Sequence, residues 1–204
     1  MMFESRNNPA LTNHQEERCH QFQTEKVKEA SVLFMGDSIV EFFPLKKYLG
    51  HNFNFVNHGI AGISAHWLAD HIPEVLGHQE PDRIFLLIGT NDIGMGYDVP
   101  AIAEKIEELI HHVQMEAVGC PISLLSVLPI NEAESYQAKV KIRRNQTIQA
   151  LNRELQNIPA IEFIDVYDTL LDEQGQLAEL YTQEGLHLTQ EGYKALSKAL
   201  KPYL

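Results

Sequence analysis

Five short apolar runs constrain this chain more than any other feature. They are Ser31 to Met35, Phe53 to Val56, Arg83 to Ile88, Pro121 to Leu128 and Ile161 to Val166. Runs so evenly apolar suit strands covered on both faces rather than strands with one wet side. The stretches between them have a helical period. From Pro100 to Val118 the residues Ile102, Ile106, Leu109, Ile110 and Val113 share one stripe, with Gly119 as the stop. Over 136–157, Val140, Ile148, Leu151 and Leu155 form the inner face of a long helix. Strands alternating with helices imply a parallel sheet with helices on both faces, an α/β three-layer sandwich. Five strands suit the flavodoxin-like order 2-1-3-4-5.

The remaining stretches are read the same way. A surface helix over 12–30 turns Phe22, the Lys26 stem, Val27 and Ala30 inward. A short helix over 39–48 stops near Gly50, and Asn57-His58-Gly59 is the turn after strand two. A helix over 64–78 is interrupted at Pro73, the stretch 167–188 is irregular, and Thr189 caps a last helix through Leu200. At 204 residues and 44% hydrophobic content the chain suits one domain, 1–204, with residues 1–13 as a flexible N-terminal extension.

Charge and composition exclude several classes. A net charge of -12 disfavours nucleic acid, whose phosphates need a basic face, and disfavours an anionic membrane surface. No apolar stretch approaches the roughly 20 residues that cross a bilayer. The opening MMFESRNNPALTNHQEER lacks the apolar core of a signal peptide, and Cys19 and Cys120 need no disulfide. A cytoplasmic home is the expectation. Neither cysteine has metal-ligand spacing, and His111-His112 lack the HExxH pattern, so no metal or cofactor is expected.

The chemistry gathers where strands end. Strand one runs into Gly36-Asp37-Ser38, strand two into NHGIAG with Gly59 and Gly62, and strand three into GTND with Asn91. After strand five a loop carries EGLHLT with His187. In a parallel sheet these ends share one rim, where open α/β sheets hold ligands. A serine at the start of a helix, a histidine able to act as its base, and amide donors point to acyl transfer. The Ser38 N–H, the Gly62 N–H and the Asn91 side chain can supply three donors to an oxyanion.

The blocks GDS, NHGIAG, GTND and GLHLT, in this order, resemble the GDSL-type lipase/esterase family, the SGNH hydrolases. Within that family the likeness is to the brain-type platelet-activating factor acetylhydrolase catalytic subunits and bacterial relatives, over about residues 14–204. The resemblance implies Ser38 as nucleophile, His187 as general base, and Ser38, Gly62 and Asn91 as the oxyanion hole. It implies short acyl or acetyl esters as substrates, a small-molecule ester as partner, and a homodimer. The family's third triad member is an aspartate three residues before the histidine; here Glu184 stands there. Glutamate can orient the imidazole from one methylene further. The alternatives are a backbone carbonyl in that role, or Asp165, which is better placed as a strand-end cap.

The other polar residues have plainer readings. Asp37, Asp92 and Thr90 are expected as turn scaffolding, His58 as a solvated loop residue, and His66 and Asp70 as surface neighbours. IRRNQ over 142–146 reads as a solvated face. Trp67, Phe42 and Phe43 are candidates for an acyl pocket or for core. Two rival functions are a metal-dependent phosphoryl enzyme built on Asp37, Asp92 and Asp165, and a non-catalytic or weakly active relative that binds an acylated ligand or partner, with thioesterase or lysophospholipase activity as the enzymatic runner-up. The first lacks a phosphate-binding glycine loop and leaves Asn91, Gly62 and His187 without a task.

Overall fold

The computed structural model describes residues 8–29 and 31–204. Residues 1–7, part of the expected flexible extension, and Ala30, expected on a helix face, lie outside the described residues. In chain order the elements are α1 (Pro9–Thr24), β1 (Ser31–Gly36), α2 (Ser38–Glu41), α3 (Leu45–Leu49), β2 (Asn54–Gly59), α4 (Ala65–Ala69) and α5 (Ile72–Leu76). There follow β3 (Arg83–Leu87), α6 (Thr90–Met95), α7 (Val99–Glu116), β4 (Ile122–Leu125), α8 (Gln137–Val140), α9 (Asn145–Leu155), β5 (Glu162–Ile164) and α10 (Gln190–Leu200). The sheet order is β2-β1-β3-β4-β5, every pair parallel, as the alternation of strands and helices implies.

The sheet is covered on both faces because its strands are apolar at consecutive positions. In β1, Leu33 and Met35 join Leu86 and Leu124 on one face, while Val32 and Phe34 join Phe85, Leu87 and Leu125 on the other. Phe34 stacks on Phe85 with ring centres 4.8 Å apart. The first face is closed by α1 and α4–α9, the second by α2, α3 and α10. The α7 stripe is buried throughout, and each aliphatic side chain so placed contributes about 2 kcal/mol over an exposed one.

Several boundaries differ from expectation, each for a local reason. The first helix starts at Pro9, capped by Asn8, and ends at Thr24, so residues 9–13 are helical and Val27 stands half exposed in a loop. The single helix expected over 39–48 is two, because Pro44 disfavours helical backbone at Phe43 and offers no N–H. Asn57, His58 and Gly59 pair with β1 as strand and are not a turn. Pro73 sits in the first turn of α5, so the break falls at Asp70 and His71 instead. The helix over 136–157 is broken between α8 and α9, where Lys141 takes a φ of 57° and Arg143 turns inward. Asp165 accepts from the Tyr167 N–H at 3.0 Å, the strand-end cap that was expected.

Candidate active site

The carboxyl ends of β1, β2 and β3 and the loop before α10 meet at a cleft of about 470 Å³. Its lining includes Ser38, Gly62, Asn91 and His187, brought together from four separate stretches. Asp37 starts this arrangement: its Oδ1 accepts from the Ile39 N–H at 2.9 Å and caps α2, placing Ser38 first in the helix. A helix's first N–H groups have no intrahelical acceptor, and Ser38 stands at this open start of α2. Gly36 is required beneath it, since a Cβ there would lie 2.0 Å from the Leu87 carbonyl oxygen, and its φ is +152°.

Ser38 Oγ lies 2.9 Å from His187 Nε2. On the far side of the ring, His187 Nδ1 lies 3.1 Å from Glu184 Oε1. A proton on Nδ1 facing this carboxylate leaves Nε2 as acceptor for the serine hydroxyl. The same Oε1 accepts from the backbone N–H of His187 at 2.6 Å and of Leu186 at 3.3 Å. Lys139 holds Oε2 at 3.0 Å. Thr182 braces the loop, accepting from the Gly185 N–H and donating to the His187 carbonyl, both at 2.9 Å.

These surroundings set the proton affinities. Burial lowers the His187 pKa from its ordinary 6.5, with Glu184 opposing and Lys139 and Arg143 reinforcing the shift. Burial by itself would raise Glu184, but the His187 N–H and Lys139 outweigh it and hold the carboxyl below its usual range. The histidine is thus neutral, and basic, at neutral pH. Burial pushes Asp37 up to about 7 against the stabilising Ile39 N–H.

Gly62 has φ +77°, and a Cβ added there would meet the Leu11 methyl carbons at 2.9 and 3.0 Å. Helix α1 is thereby a wall of the cleft. It is strapped down by Arg18, whose guanidinium donates to the Gly59 and Asn57 carbonyls. Asn91 donates from Nδ2 to the Ile63 carbonyl at 2.9 Å, and its Oδ1 accepts from Arg143 Nη2 at 3.1 Å.

Some expectations need correction. Arg143 does not belong to a solvated face: it is 1% exposed, and its Nε donates to the Thr90 carbonyl at 2.8 Å. Only Arg144 of that pair is exposed. His58 is not solvated either. It is fully buried, bonded through Nδ1 to the Val75 carbonyl at 2.6 Å and stacked on Phe22 at 4.0 Å. His66 turns to Asp92 at 3.0 Å rather than to Asp70, and Asp92 also accepts from the Ala65 N–H. Asp37 and Asp92 are therefore scaffolding, as expected. Phe42 lines the cleft, Phe43 is core, and Trp67 stacks on His71.

Among the described residues no group of three or more His, Cys, Asp or Glu is placed to hold a metal ion, and no helix is long and apolar enough to cross a membrane. Leu11, Arg143, Lys139 and Thr182 are site-forming residues whose part sequence reasoning did not foresee. The adjacent arginines were visible, but nothing in their spacing separates the buried one from the exposed one.

Comparison with known proteins agrees with this geometry. The model of the GDSL-like lipase/acylhydrolase family matches residues 34–195. A solved protein of Streptococcus pneumoniae named for platelet activating factor is 41% identical, covering 95% of this chain and 92% of that one, with a TM-score of 0.88. The platelet-activating factor acetylhydrolase IB subunit alpha1 of Bos taurus is 24% identical, over 91% of this chain and 80% of its own length. The N-acylneuraminate cytidylyltransferase of Escherichia coli is 26% identical over 90% of this chain, which spans only 42% of that protein. With a parallel sheet that carries GDS, NHGIAG, GTND and GLHLT to one cleft, the chain belongs to the GDSL-like lipase/acylhydrolase family.

Proposed function

We propose that this hydrolase removes short acyl groups, acetyl above all, from a small ester through an acyl-enzyme. The observation that carries the reading is the line from Ser38 Oγ through His187 to Glu184, at 2.9 and 3.1 Å. Ser38 Oγ attacks the ester carbonyl while His187 Nε2 takes its proton. The oxyanion is received by the Ser38 and Gly62 N–H groups and by Asn91 Nδ2. Collapse breaks the bond to the alcohol oxygen, which leaves with the proton held by His187. Water then attacks the acyl-serine, giving its proton to His187, and the acid departs as Ser38 recovers its hydrogen.

The short-acyl preference is supported by Leu11 and Phe42, which wall the cleft, and by the likeness to acetylhydrolase subunits. That likeness also motivates a homodimer, which sedimentation would establish or refute. A fluorophosphonate should label Ser38 stoichiometrically, and p-nitrophenyl acetate should turn over faster than its longer homologues. Ser38→Ala should abolish labelling and lower kcat by more than about a thousandfold. Near-normal turnover in that variant would end the reading.

A further inference from the structure

We infer that Arg143 is a positioning residue that sets which end of the Asn91 amide faces the substrate, and that Gly94 makes room for it. The inference rests on the proposed role of Asn91 as an oxyanion donor. An asparagine amide can turn over, exchanging a donor for an acceptor at nearly the same place. An oxyanion hole works only with the NH2 toward the cleft; the reversed amide would present an oxygen to a developing negative charge.

Two partners define the orientation. The guanidinium offers donors alone, and its Nη2 meets Asn91 Oδ1 at 3.1 Å. The Ile63 carbonyl can only accept, and it takes Nδ2 at 2.9 Å. Reversal would set donor against donor and acceptor against acceptor. One Nδ2 hydrogen is used by Ile63, and the second is available to the cleft that Asn91 lines.

Arg143 is itself held in place. Its Nε donates to the Thr90 carbonyl at 2.8 Å and Nη1 to the Val140 carbonyl at 3.4 Å. Its planar fork thus ties the residue before Asn91 and the amide of Asn91 to one rigid group, which a lysine cannot reproduce. Gly94 supplies the space. A Cβ there would lie 2.1 Å from Nη2 and 2.3 Å from Cζ, so any side chain at 94 displaces the guanidinium. Gly94 is one helical turn from Asn91 and does not line the cleft.

The test is a set of double-mutant cycles on p-nitrophenyl acetate hydrolysis, with kcat expressed per fluorophosphonate-titrated site. Arg143→Met, Arg143→Lys and Gly94→Ala are each made in the wild-type and the Asn91→Ala backgrounds. Asn91→Ala should lower kcat on the order of a hundredfold or more, and each of the other three by roughly tenfold, with KM little changed. In the Asn91→Ala background those three should add less than about twofold, because the amide they orient is gone. Arginine and glycine variants whose losses multiply fully with that of Asn91→Ala would overturn the inference while leaving the oxyanion role intact. Wild-type kcat in Gly94→Ala, whose arginine is chemically unaltered, would overturn it as well. Near-normal turnover in Asn91→Ala itself would remove the oxyanion reading and the inference together.

Discussion

Replacing Glu184 by glutamine removes one negative charge while leaving an oxygen with the same reach. That oxygen can still accept from the His187 and Leu186 N–H groups, now bonded at 2.6 and 3.3 Å. What disappears is attraction for the imidazolium formed when Ser38 gives up its proton. At about 4 Å between charge centres and an effective dielectric of about 20, that attraction is about 4 kcal/mol. Glu184 is 34% exposed and shares its charge with Lys139 at 3.0 Å. Solvent and counter-charge therefore reduce the effect to roughly 2 kcal/mol, equivalent to about thirtyfold in kcat.

The pH profile gives a second signature. Activity rises with pH as His187 loses its proton, at a pKa already below 6.5 because of burial and held up in part by Glu184. Without that charge the acid limb moves to lower pH while the plateau falls. The assay is kcat and kcat/KM for p-nitrophenyl acetate across the pH range in which the protein stays folded. A plateau loss under about threefold, or a limb that moves to higher pH, would refute the reasoning. Glu184→Asp tests the fit of length: the carboxylate retracts by about 1.5 Å from all its partners, and kcat should fall. A faster Glu184→Asp enzyme would mean that the natural glutamate detunes the site.

Two further outcomes follow from residues outside the relay. Burial lowers the His58 pKa from 6.5 to about 4, so its neutral form is favoured on folding. The stability this gives is complete above the unfolded value and is lost as pH falls from 6.5 toward 4, by about 3 kcal/mol at the lower limit. Urea unfolding of wild type and His58→Gln at several pH values should show the stability gap between them closing on acidification; a gap independent of pH would contradict it. Leu11→Ala removes the methyl groups packed against Gly62 and should raise kcat/KM for a hexanoyl ester relative to acetyl by about tenfold. An unchanged ratio would mean that Leu11 does not bound the acyl chain.

The strands were legible from local apolar runs, and their order and the meeting of Ser38, Gly62, Asn91 and His187 from the topology that parallel strands joined by helices must take. Uniformly apolar runs become buried parallel strands, and parallel strands place their ends together. Helix boundaries were legible only in part. At Pro44 the break could have been read, since the residue before a proline leaves the helical region. The break at Lys141 could not, since a non-glycine residue with φ 57° is maintained by what surrounds it. His58 was misread because a histidine beside a glycine looks like a loop residue until β2 is seen to run on through Gly59.

The sequence by itself determined the layered sheet, the rim at which its strands end, and the kinds of chemical groups delivered there. Only the tertiary structure decided which cations serve the site. Lys139 finds Glu184, and Arg143 finds Asn91, across separations of 45 and 52 positions. A lysine or arginine reads locally as a solvated residue, because in water that is its lowest free energy. Burying the Arg143 guanidinium needs carbonyl acceptors and an absent Cβ from another element, and Thr90, Asn91 and Gly94 provide them only once the chain has folded.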